Sequence, residues 1–69
     1  MRYKITFELL EPDKSASYEV YTCNGEAKAI VIATEKHISS SKGHILSVEI
    51  KHLGGTRAVG TDLVDRMEW

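Results

Sequence analysis

Sixty-nine residues leave room for one hydrophobic core and no second domain. Nine basic residues against ten acidic ones give a net charge of −1, which argues against a protein whose main task is gripping a phosphate backbone. Cys23 is the only cysteine, so an internal disulfide is excluded and a structural zinc site is disfavoured.

The apolar fraction of 42% and charged fraction of 28% are those of an ordinary globular domain. No apolar run approaches the roughly 20 residues that a bilayer-spanning helix needs. Arg2 and Lys4 are interleaved with Tyr3, Ile5 and Phe7 rather than preceding an uninterrupted apolar block. That pattern is unlike a signal peptide, and cytoplasmic residence is the expectation.

Residues 1–10 alternate, with Tyr3, Ile5, Phe7 and Leu9 on one face and Arg2, Lys4, Thr6 and Glu8 on the other. A period of two with aromatic and β-branched residues predicts a half-buried strand. Residues 11–15 then predict a turn centred on Pro12 and Asp13. Residues 16–22 predict a second strand, with Ala16, Tyr18, Val20 and Thr22 inward, paired to the first as an antiparallel hairpin.

Asn24 offers an N-cap and Glu26 a first-turn anion, so a helix is predicted over residues 25–38. At 100° per residue Ala27, Ile30, Val31, Ala33, Thr34, His37 and Ile38 share its apolar face. Lys28, Ala29, Ile32, Glu35 and Lys36 fall on the other. A polar loop at residues 39–43 leads to a third strand over residues 44–53. Its inward residues are Leu46, Val48 and Ile50, aliphatic enough for a central place in the sheet.

Gly54 and Gly55 can supply the two positive-φ positions of a type I′ turn, returning the chain as a short strand over residues 56–59. Gly60 ends that strand. In the tail, Leu63, Asp65, Met67 and Trp69 alternate, which favours an extended reading. The competing reading is one helical turn capped by Thr61 or Asp62 and bearing Leu63, Val64 and Met67. The apolar residues of the tail, Trp69 included, are expected to pack against the domain.

The order is strand, strand, helix, strand, strand: an α+β fold with one helix on a mainly antiparallel sheet. Two sheet orders are compatible with it. One is 2-1-3-4; the other is 2-1-4-3, which is similar in element order to the β-grasp fold of ubiquitin-like proteins.

The candidate chemical groups are sparse. His44 and His52 are separated by roughly 26 Å along a straight strand. His37 and Cys23 are roughly 21 Å apart along the helix. Neither of these two pairs can share a metal, and the three histidines read as isolated surface or edge residues. Cys23 precedes a helix N-terminus, where a thiol gains reactivity, but no base is placed beside it and inert packing is expected. Gly54-Gly55 lacks the lysine and helix of a phosphate-binding loop, and no carboxylate pair shares a pocket. Neither enzymatic activity nor a cofactor is expected.

Residues 42–57 carry Lys42, Lys51 and Arg57 against Glu49, whereas residues 58–69 carry Asp62, Asp65 and Glu68 against Arg66. Lys42, Lys51 and Arg57, with Ile32 on the polar side of the helix, are the candidate interaction surface. The expected role is a non-enzymatic protein-interaction or accessory module, with a weak homodimer through Ile32 or an edge strand. The alternative is single-stranded nucleic-acid binding on the outward sheet face. There Arg2, Lys4 and Thr6 can meet Lys51 and Tyr21, although Glu8, Glu19 and Glu49 share that face and oppose phosphate.

Overall fold

Strict alternation in β1 (Arg2–Leu9) buries Tyr3, Ile5, Phe7 and Leu9 and leaves Arg2, Lys4 and Glu8 exposed. The computed structural model describes residues 1–11, 14–40 and 43–67. Within them β1 pairs antiparallel with β2 (Ser15–Tyr21) on one side and β3 (Ile45–His52) on the other. A fourth strand, β4 (Gly55–Val59), pairs antiparallel with β3 at the sheet's edge. The order is therefore β2-β1-β3-β4, and the β-grasp-like alternative is overturned because β1 and β3 are direct neighbours. Pro12 and Asp13, on which the predicted first turn centres, lie outside the described residues.

The helix α1 (Glu26–Ser40) crosses from β2 to β3 on one face of the sheet, so β2 and β3 run parallel with β1 between them. Ala29 N–H donates to the Gly25 carbonyl, which makes Gly25 (φ 92°), not Asn24, the capping position. The buried residues are Ala29, Ile30, Ala33, Thr34 and His37. This face is turned from the predicted one: Ala27 is exposed, while Ala29 is fully buried. Ile32, assigned to the polar side, is half-buried and packs on the core. The physical reason is a second wall. The tail forms α2 (Asp62–Asp65), which packs against α1, so more of the helix circumference is covered than a sheet alone would cover.

That one-turn helix overturns the extended reading of the tail. Val64 is its buried residue and Leu63 packs at the core's margin, an arrangement that an alternating strand would not produce. Thr61 stands at its N-cap with its hydroxyl on the Asp65 carboxylate, 3.0 Å away. Trp69, expected to pack, lies outside the described residues.

Two further corrections concern β3 and its hairpin. Ile45 is buried and Leu46 is 48% exposed, the reverse of the predicted phase. The partners run Glu8↔Ser47 and then Leu9↔Ile45, so Leu46 is an extra residue at a β-bulge, and the inward set changes parity there. The β3–β4 turn falls one residue earlier than predicted. Its two positive-φ residues are Leu53 (φ 53°) and Gly54 (φ 82°), with His52↔Gly55 as the closing pair. Gly55 begins β4 instead of completing the turn.

Leu53 is 87% exposed and gains no packing in return for a left-handed backbone, which L-residues other than Asn and Asp rarely adopt. Leu53→Asn should therefore stabilise the domain by about 1 kcal/mol. Urea denaturation of the two proteins measures this, and an unchanged midpoint would contradict the strain.

Candidate functional site

Among the described residues the sheet has one face under α1 and one without a helix. Alternation in β1 and β2 sends Arg2, Lys4, Glu19 and Tyr21 to the uncovered side, where β3 contributes Lys51. In the register Arg2 lies opposite Tyr21, and Lys4 lies between Glu19 on β2 and Lys51 on β3. An open groove of about 510 Å³ sits at this end of the face, lined by Arg2, Lys4, Glu19, Lys51 and the apolar Met1 and Leu53. The predicted meeting of Arg2, Lys4, Lys51 and Tyr21 is thus in place.

His52, on the helix side of β3, reaches the groove's end. Its ring stacks on Tyr3, with centroids 4.4 Å apart and planes at 24°. His52 Nδ1 lies 3.2 Å from the Arg2 carbonyl oxygen. A carbonyl only accepts, so Nδ1 carries the proton.

The other candidate residues do not share this place. Arg57 is opposite Ile50 and therefore points to the helix side, where it pairs with Glu26. Both side chains are partly exposed, so the pair contributes little stability, but it ties the start of α1 to the edge strand. A second cavity, of about 190 Å³, lies beside it and is lined by Ile50, Thr56 and Arg57 among others. Ile32 is on the helix margin, and Lys42 lies outside the described residues. A local pair, Lys14 with Glu11 at 2.9 Å, spans the first turn. Its hydrogen bond and charge hold the Glu11 carboxyl below the usual range and raise the Lys14 ammonium.

His37 is fully buried, which corrects the expectation of an isolated surface or edge residue. Its Nε2 lies 2.7 Å from the Gly43 carbonyl oxygen and its Nδ1 lies 2.8 Å from Tyr18 Oη. In the neutral ring the carbonyl fixes the proton on Nε2, and the Tyr18 hydroxyl donates to Nδ1. Phe7 packs against both rings, at 5.5 Å from His37 and 5.8 Å from Tyr18. The three residues connect β1, β2, α1 and the entry to β3. Tyr18 and His37 both fall on predicted inward faces. Their meeting was hidden because the sequence does not say which strand lies beneath the end of the helix.

Cys23 is exposed, not packed as expected, with Sγ 4.0 Å from Asn24 Oδ1. Its neighbour Thr22 takes the buried position at the end of β2. Among the described residues no cluster of three or more His, Cys, Asp or Glu side chains could hold a metal ion, and no helix is long and apolar enough to cross a membrane. No protein-family model matches the chain, and neither does any curated protein or solved structure.

Tyr18→Phe keeps the ring packing and deletes the hydroxyl that His37 Nδ1 accepts. A loss of about 1 kcal/mol in chemical denaturation is expected. Tyr21→Phe, on the exposed face, should leave stability unchanged and serves as the control.

Proposed function

We propose that the domain is a non-enzymatic protein-interaction module that takes an extended segment of a partner onto the free edge of β4. The observation that carries this reading is the state of that strand. It pairs with β3 on one side only, and residues Gly55, Thr56, Arg57 and Ala58 are exposed. In a two-residue hairpin the closing pair, here His52 and Gly55, is hydrogen-bonded, and bonded and non-bonded pairs then alternate. Thr56 and Ala58 therefore turn their N–H and C=O groups away from β3.

Such an edge is a template for an added strand. The cavity beside Ile50, Thr56 and Arg57 gives an incoming side chain a place on the helix side of the sheet. A second copy of the chain is one candidate for the added strand. Antiparallel self-pairing centred on Arg57 would set that guanidinium against its counterpart, so self-association by this route is weak.

Ala58→Pro removes an outward N–H while sparing the ladder to β3, a substitution that edge strands tolerate. In affinity capture from the native host, the tagged wild-type domain should recover a stoichiometric partner that the folded Ala58→Pro domain loses. Equal recovery by both proteins rules out the edge as the docking site. Sedimentation of the same two proteins over a wide concentration range reads self-association separately.

A further inference from the structure

The cations of the outer face are arranged against their own electrostatics. Lys4 and Lys51 are direct cross-strand partners, a pairing of like charges that destabilises a sheet. Arg2 precedes Lys4 on the same face by two residues, about 7 Å along the strand. None of the three makes an ion pair among the described residues. Glu19, opposite Lys4 on β2, is the one acid that lines the groove with them.

The remaining acids of the face are displaced along the strands. Glu49 stands opposite Thr6, two residues and about 7 Å from Lys51, and Glu8 lies four residues beyond Lys4. Glu8 is therefore about 13 Å from Lys4 along the strand, farther than a Debye length at physiological salt. A chain of net charge −1 thus sets Arg2, Lys4 and Lys51 against only Glu19 and Glu49 at one end of an uncovered sheet face, a local excess of positive charge. Tyr21, 79% exposed, stands at that end opposite Arg2.

We propose that this groove binds the phosphodiester chain of a single-stranded nucleic acid, with Arg2, Lys4 and Lys51 on successive phosphates and Tyr21 as a stacking platform for a base. An open sheet face bearing cations and an exposed ring is a general means of holding single strands. Unlike a carboxylate-bearing peptide, a nucleic acid uses both halves of the arrangement, since its bases stack on the ring while its phosphates meet the cations. The site is separate from the β4 edge and does not depend on a protein partner there.

Fluorescence anisotropy with a labelled oligouridine tests the assignment on the full chain. Three phosphate contacts predict a log–log salt slope of about −2, a loss of roughly 20-fold between about 50 and 200 mM salt. Lys51→Glu should abolish measurable binding at every salt concentration in that range. It also replaces a like-charge cross-strand pair by an opposite-charge one, so its melting temperature should rise, which separates lost binding from lost folding. Tyr21→Ala should weaken binding by about 5-fold or more. Absence of binding at the lowest salt overturns the proposal, as does binding that survives Lys51→Glu. Displacement by polyglutamate as effective as by unlabelled oligouridine, with Tyr21→Ala silent, overturns it in favour of an acidic protein segment.

Discussion

β1 is held along both edges, by β2 and by β3, and carries Ile5 and Phe7 with no exposed surface. That two-sided pairing positions the rest of the molecule. Because a strand's side chains alternate, fixing four residues of β1 in the core forces Arg2, Lys4, Thr6 and Glu8 onto the opposite side. A slip of one residue would exchange the two sets, and the burial of large apolar groups, worth roughly 1.5–3 kcal/mol each, prevents it. With a single long helix on one side of the sheet, the other stays open. The cationic groove is thus a consequence of where the core lies, and only the choice of Arg and Lys at those outward positions is free.

How much of this was legible in the sequence depended on whether local pattern or tertiary context decided each element. The alternation in β1 and β2 sufficed for their faces and for placing Arg2, Lys4 and Tyr21 together, whereas the meeting with Lys51 also needed β3 beside β1, which the sequence left open. The helix was legible as an element but not in its rotation. Ala27 and Ala29 look alike in composition, and only the packing of the helix in the fold makes the second a core residue. In β3 the bulge at Leu46 leaves no local mark, since both Ile45 and Leu46 are aliphatic. The turn failed differently. Gly-Gly is the better local match to two positive-φ residues, yet the observed register places Leu53 there. The pairing of β3 with β4 outweighed turn preference.

The least legible feature is the contact between Tyr18, His37 and Gly43, which spans elements that only the tertiary fold brings together. A chain of this length has little core to draw on, and an internal disulfide is closed to it. Polar contacts that fix the order of elements then matter more than in a large domain. Both nitrogens of His37 find partners, and among the described residues no buried side-chain nitrogen or oxygen lacks one. A buried polar network that is fully satisfied restricts alternatives, because any other packing would leave one of its groups unpaired. Thr34 solves the same problem locally by donating to the Ile30 carbonyl at 2.7 Å.

The two proposed surfaces are neighbours, and strand pairing would couple them. Thr56 is opposite Lys51, so the row of outward residues runs Glu19, Lys4, Lys51, Thr56 across the sheet and stops at the β4 edge. A segment added to β4 would extend that row by one side chain, about 5 Å beyond Thr56. A carboxylate arriving there, about 10 Å from Lys51, would lower the positive potential at that end of the strip, whereas a basic residue would lengthen it. A protein partner on the edge and an anionic chain on the face would then oppose or reinforce one another through the charge of a single residue. By linkage, whatever factor the partner imposes on the anion's affinity, the anion imposes on the partner's.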